Sequence, residues 1–275
     1  MEPDRQGRLA GGKLLYDRPA EGVHRLRLNN PAKRNALDRE LLDGLVEALA
    51  DLERLEPIEL RCLIVAGSGG AFCAGYDISG VEGATGAEQA KELVAHPFTE
   101  ALDRLERFPA PTVAALEGPT LGGGLELALV CDLRIADPAA RLGMPPARLG
   151  LVYSHRGLAR FVQAIGPART KELFFRAKPI EAAVAERWGL VNALCEPGRL
   201  DQAAVALAEE IAAGAPLSQR GNKRAVNELL AAVVALPADL ERELLALRDA
   251  AFQSADLREG MAAFFERRTP RWQGR

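Results

Sequence analysis

Aromatic residues are scarce in this 275-residue chain, with three Tyr, two Trp and nine Phe. Charge imbalance is equally small, 35 Lys and Arg against 38 Asp and Glu for a formal net charge of −3. With no basic block and few rings for bases to stack on, a nucleic-acid binder is not expected. No uncharged apolar run reaches the roughly 18 residues that a membrane helix needs. The first twenty residues, with Glu2, Asp4, Arg5, Arg8 and Lys13, lack the apolar heart of a secretory signal. A cytoplasmic protein with no membrane partner is therefore expected. Cys62, Cys73, Cys131 and Cys195 form no C-x-x-C, and His24, His96 and His155 show no ligand spacing, so neither a disulfide framework nor a metal is expected.

What is present is apolar: 48% of the residues are hydrophobic, in a chain long enough for one large domain or two small ones. That content is too high, and the charge too balanced, for a disordered chain. Segments 13–17 and 22–28 read as a β-hairpin closed by Asn29-Asn30-Pro31. Asp38 is a candidate N-cap for a helix to about residue 55, with Leu41, Leu42, Leu45, Val46, Leu49 and Leu52 on one face. Cys62–Ala66, Thr112–Leu116 and Cys131–Ala136 read as short buried strands, with helices over 87–107 and from near Gly122 between them. This alternation predicts an α/β layered core with mostly parallel pairing. From about residue 200 only amphipathic helices follow, with faces such as Val226, Leu229, Leu230 and Val233, then Leu240, Leu244, Leu247 and Ala251. Such faces suit either subunit contacts or a cap over the helices' own core, and periodicity does not choose between them.

The stretch Gly118–Val130 holds the most chemistry. Gly122, Gly123 and Gly124 at a helix start let the backbone approach a ligand and leave N–H groups unpaired at the positive end of the helix dipole. Glu126, the one polar side chain from Leu125 to Val130, is expected in apolar surroundings with a raised pKa. A raised carboxyl beside an oxyanion donor is equipment for moving a proton α to a carbonyl. The structural alternative is that the glycines serve close helix–strand packing and Glu126 pairs with a cation such as Arg134. No G-x-x-x-x-G-K-[ST], G-x-G-x-x-G or G-x-S-x-G occurs. Ser154 and His155 are adjacent, so on a helix they cannot face each other as nucleophile and base. The segment Ala71–Ile78 after the second strand region is placed to supply a second N–H opposite Gly123.

Taken in order, these residues resemble the enoyl-CoA hydratase/isomerase (crotonase) superfamily. The matching pieces are Asn35-Ala36-Leu37, Leu63-Ile64-Val65, Phe72-Cys73-Ala74-Gly75-Tyr76-Asp77-Ile78, Gly122-Gly123-Gly124-x-Glu126-Leu127-Ala128, Cys131-Asp132 and Glu259-Gly260-Met261-x-Ala263-Phe264, spanning roughly residues 12–270. The resemblance implies an α/β fold, a crotonase-like spiral of ββα units over 1–200 with 1–11 disordered, and a helical oligomerisation region over 201–275 that builds homotrimers or hexamers. It implies an acyl-CoA thioester as substrate, with coenzyme A part of that substrate and no separate cofactor. The backbone N–H groups of Tyr76 and Gly123 would hold the thioester oxygen as an enolate forms, and Glu126 would be the acid/base. Binding contacts would come from Lys33, Arg34, Ala36, Ala74, Asp77, Ile78, Gly122, Pro145 and Pro146.

One departure matters. The family's hydratases carry a second glutamate where this chain has Pro146, and between Glu126 and Glu172 the only acids are Asp132 and Asp137. Three readings follow: isomerisation or slow hydration by one carboxylate, decarboxylation of a methylmalonyl or related malonyl-type thioester, or a non-catalytic CoA-thioester scaffold. Gly150-Leu151-Val152-Tyr153-Ser154 is similar to the methylmalonyl-CoA decarboxylase branch, in which a tyrosine contacts substrate, although that branch has histidine where this chain has Tyr76. The reading taken first is the hydratase/isomerase type, with Tyr153 near the departing carboxylate in the decarboxylase alternative.

Overall fold

The computed structural model describes residues 7–77 and 97–275. Its main sheet begins with three antiparallel strands, β1 (Gly7–Leu9), β2 (Leu14–Ala20) and β3 (Val23–Leu28). It continues in parallel through β4 (Cys62–Gly67), β5 (Thr112–Leu116), β7 (Leu133–Ala136) and β10 (Ala193–Leu194). A smaller sheet pairs β6 (Pro119–Leu121), β8 (Arg141–Gly143) and β9 (Ile180–Glu181). Helices α1 (Arg39–Leu52), α2 (Thr99–Glu106), α3 (Gly123–Leu129), α4 (Pro146–Leu149), α5 (His155–Arg176) and α6 (Ala182–Arg187) lie among the strands. The run ends in α7 (Leu200–Ala212), α8 (Pro216–Val233), α9 (Ala238–Gln253) and α10 (Ala255–Phe265). Two turns of the chain, β5–β6–α3 and β7–β8–α4, repeat one pattern of long-sheet strand, short-sheet strand and helix, which is the expected spiral.

The two-residue period of β4 explains its burial on both faces. Leu63 and Val65 enter the large core with Leu41, Leu45 and Phe72, whereas Cys62, Ile64 and Ala66 face a second cluster. Leu200, Ala204, Ala208 and Ala212 of α7 cover that second cluster with small side chains spaced four apart. Asp38 caps α1 as predicted, accepting from Leu41 N at 2.9 Å.

Several expectations are corrected. Residues 7–11, expected to be disordered, form β1 and enter a 3-10 turn, because Gly7–Leu9 pairs with Leu14–Tyr16. The strand expected from Cys131 starts at Leu133, since Cys131 N still donates to Ala128 O at the end of α3. Helix α7 packs on the main sheet, so it belongs to the core rather than to a separate helical region beginning at 201. Of the helix expected over 87–107, only the part from 97 lies within the described residues.

Candidate active site

Two loops meet at the N-terminus of α3. Gly122 has φ +52, a left-handed value that favours glycine, and spends its N–H on Gly143 O at 2.9 Å. The next N–H, that of Gly123, has no acceptor among the described residues. Opposite, Cys73 bridges to Thr120 and Tyr76 bridges to Leu37, which fixes the turn after β4. Both bonds of the second bridge, Leu37 N to Gly75 O and Asp77 N to Leu37 O, use the neighbours of Tyr76. The Tyr76 N–H is thereby left without an acceptor among the described residues. A Cβ added to Gly75 would lie 3.0 Å from Leu121 O and 3.6 Å from Gly123 N, so the two loops touch where the two donors are. Free N–H groups so arranged can stabilise an oxygen that gains negative charge.

Glu126 stands one turn further along α3 and is 2% exposed. Its Oε2 accepts a hydrogen bond from the Tyr153 hydroxyl, and its Oε1 accepts from Arg160 Nη1 at 2.9 Å. Burial pushes the carboxyl above its ordinary value, while Arg160 and Tyr153 pull it back without cancelling the rise. Burial likewise lifts the Tyr153 phenol well above its ordinary value, and Glu126 adds to that. Tyr153 precedes α5, whose N-cap Ser154 accepts from Gly157 N at 3.0 Å. Its ring packs edge-on against Phe174 with centroids 5.4 Å apart. The Tyr76 ring stands edge-on to Phe98 at 4.9 Å, and its hydroxyl is buried with no partner among the described residues. Burial, and then the nearby Glu126, raise that phenol well above its ordinary value.

These groups line a cavity of about 2050 Å³ that runs from the two loops to α9, α10 and the C-terminal segment. The predicted Lys33, Arg34, Ala36, Ala74, Asp77, Gly122, Pro145 and Pro146 all line it as well. Ile78 lies outside the described residues. Lys33 is tied to Asp77 at 2.6 Å, and Arg34 holds φ +51 while its carbonyl accepts from Ala74 N at 3.0 Å. Asn35, fully buried, staples this loop by donating to Ser68 O and Ala71 O and accepting from Asn30 N. Pro146 is a buried ring at the first position of α4. Asp132 is spent on Thr112 and Lys223, and Asp137 on Ala139 N and Gly198 N, so neither replaces a second acid.

The pairing of Glu126 with Arg134 is overturned. The Arg134 guanidinium instead donates to the carbonyls of Leu190, Cys131 and Leu129. The cation at Glu126 is Arg160, whose other N–H groups reach Glu106 at 2.7 and 3.0 Å and Asp103 at 3.1 Å. Sequence reasoning missed Arg160. The available signal was its place three residues after Gly157 on the inward face of a helix that begins beside Tyr153.

A spiral α/β chain with a deep cavity, two unpaired backbone donors and one buried acid defines the class of protein. The sequence model of the enoyl-CoA hydratase/isomerase family matches residues 18–275, and the chain belongs to that family. It is 37% identical to enoyl-CoA hydratase domain-containing protein 2, mitochondrial, of Bos taurus, over 93% of this chain and 86% of that protein. Among solved structures it resembles methylmalonyl-CoA decarboxylase in complex with 2-nitronate-propionyl-CoA, with TM-score 0.87 and 30% identity over 96% of this chain and 99% of that one. It also resembles an enoyl-CoA hydratase from Bacillus anthracis, with TM-score 0.75 and 29% identity over 96% and 100% of the two chains.

Proposed function

We propose that the chain binds an acyl-CoA thioester and works through its enolate, and that the reaction is loss of CO2 from a methylmalonyl or related malonyl-type thioester. In this reading the N–H groups of Tyr76 and Gly123 hold the thioester oxygen. The electron pair of the breaking C–CO2 bond passes into the enolate, where two preorganised donors oppose the growing charge. Removing one such donor costs about 3 kcal/mol of barrier in comparable sites. The enolate carbon then takes the Tyr153 hydroxyl proton, and the phenolate is reprotonated through Glu126, whose carboxyl is held above its ordinary value by burial. The apolar wall of Phe98, Leu102, Leu121 and Met144 would strip water from the departing carboxylate, which favours release of a neutral gas. Lys33, Arg34, Ala36, Ala74 and Asp77 are proposed to hold the CoA portion, which belongs to the substrate, with no further cofactor.

The observation that supports this reading best is the Tyr153–Glu126 pair in a site where Pro146 stands at the position of the second glutamate of the family's hydratases. A second reading, isomerisation or hydration by Glu126, draws on the same raised carboxyl and on the names of relatives such as the Bos taurus protein. The deciding experiment offers methylmalonyl-CoA, a 3-enoyl-CoA and crotonyl-CoA separately in D2O, with products followed by mass spectrometry. Release of CO2 with one deuterium at Cα is expected. A shifted double bond or added water without decarboxylation would select the second reading. Tight thioester binding without any turnover or exchange would mean a scaffold.

A further inference from the structure

Among the described residues Arg160 is the one cation in contact with three carboxyl groups, and those groups come from two different helices. Asp103 and Glu106 lie on α2, Glu126 lies on α3, and Arg160 reaches them from α5. All three of its side-chain nitrogens are engaged: Nε and Nη2 take both oxygens of Glu106, Nη2 also reaches Asp103, and Nη1 takes Oε1 of Glu126. With its side chain 13% exposed and four of its five N–H groups spent on these acids, Arg160 cannot offer a substrate carboxylate a two-pronged grip. What it does instead is fill one oxygen of Glu126, so that only Oε2, the one bonded to Tyr153, is left for proton traffic.

We propose that Arg160 is a positioning residue: anchored to α2 by Glu106 and Asp103, it holds Glu126 so that its proton moves through Tyr153. The inference rests on the acyl-CoA reading for its catalytic consequence, but the clamp itself does not. The fixed, planar guanidinium suits this task, because it makes four bonds to three acids from three nitrogens in one plane, whereas a lysine ammonium has three donors on a single nitrogen. Charge counting agrees, since one cation among three acids leaves negative charge in excess, and the most buried acid, Glu126, is the costliest place to leave it. The titratable groups facing Glu126 are Tyr153 before α5, Arg160 on α5, Glu106 with Asp103 behind it on α2, and Tyr76 on the loop after β4. Arg248 of α9 acts on Tyr76 from the far side. Of these only Arg160 brings a positive charge into contact with the Glu126 carboxyl.

The test uses Arg160→Gln and Arg160→Lys in the full chain with two readouts. The first is the titration of the Glu126 carboxyl by infrared difference spectroscopy, its band identified by loss in Glu126→Gln. The second is exchange of the Cα protons of propionyl-CoA in D2O, followed by NMR. Arg160→Gln is expected to raise the titration midpoint by at least about one pH unit, as loss of a contacting opposite charge does. It is also expected to slow exchange at least tenfold at neutral pH. Arg160→Lys keeps the charge but loses the fork, so its midpoint stays near that of the wild type while its exchange still slows tenfold. It also answers the question if the glutamine variant does not fold. An unmoved midpoint in Arg160→Gln, or wild-type exchange in Arg160→Lys, would overturn the assignment. Absence of exchange in the wild type would defeat the acyl-CoA enolate reading, and the infrared titration would still decide the role of Arg160.

Discussion

Gly123 and Gly124 are neighbours with different reasons to lack a side chain. A Cβ on Gly124 would lie 2.5 Å from Cys73 O and 2.6 Å from Cys73 Cβ, in the packed floor beneath α3. A Cβ on Gly123 would meet only rings, Tyr76 Cζ at 3.2 Å and Phe98 Cε2 at 3.4 Å, on the cavity side. Gly124→Ala is therefore expected to cost about 1–3 kcal/mol of stability in urea unfolding, the usual range for overpacking. Gly123→Ala is expected to unfold near the wild-type midpoint yet lose about a hundredfold in turnover, because the displaced rings and N–H belong to the proposed oxyanion site. Equal losses of stability in both variants would defeat this division. Glu126 supplies a test with a definite sign. Its folded carboxyl holds the proton more tightly than the ordinary value of 4.5, so folding takes up protons above that pH and wild-type stability falls as pH rises. Glu126→Gln has no such loss, so its stability relative to wild type, followed by urea unfolding, should improve as pH rises above the ordinary carboxylate range. The acid was legible from sequence because its chemistry is local, a single polar residue among apolar ones after three glycines. Arg160 was not legible, because its partners are 34 and 54 residues away and only the fold brings them together.

At the scale of elements, the site depends on how α5 begins and where it breaks. The helix is interrupted at Gly166, which holds φ +73 and ψ 166, followed by Pro167, so its first half is a separate short rod. That half is fixed at one end by the Ser154 cap, and Tyr153 leads directly into it. Ser154→Ala is expected to cost about 1 kcal/mol, the usual worth of a side-chain cap. It should also lower turnover more than stability predicts, because a frayed first turn releases Tyr153 from Glu126. Chemical denaturation and steady-state rates on one preparation check both parts. The strands β4 and β5 and the helix α1 were readable because unbroken apolar runs and a face of five leucines and a valine leave little choice of element, and β3 because its apolar residues alternate beside a turn. Strand β1 was not, because three residues carry no periodicity and its order comes from pairing with Leu14–Tyr16. Helix α7 shows a related limit: its periodicity announced a buried face, but nothing local said that the partner was the sheet rather than another helix or subunit.

For the whole molecule, the unresolved choice made by periodicity reappears as exposed surface. Val226, Leu229, Leu230 and Val233, at i, i+3, i+4 and i+7 of α8, are all exposed in the single chain, Leu229 at 69% and Val233 at 80%. Leu240 and Leu247 of α9 are exposed with them. A contiguous apolar strip of this kind is rare on a free monomer and is the ordinary mark of a surface covered by another chain. Because the cores beneath are already filled by α7 and the sheet, the strip has no apolar partner among the described residues. Self-association through α8 is therefore expected, with a closed trimer or a pair of trimers as the form that the family resemblance implies. Sedimentation velocity at micromolar concentration should show an assembly larger than one chain. Leu229→Glu with Val233→Glu should reduce it to monomers, while far-ultraviolet circular dichroism stays as in the wild type. The same variant should bind butyryl-CoA more weakly, because α9, which follows α8 after a short connection, lends Glu241, Leu245 and Arg248 to the cavity wall. A wild-type chain that sediments as a monomer would remove the self-association argument. An assembly that survives both charges would place the contact on another face.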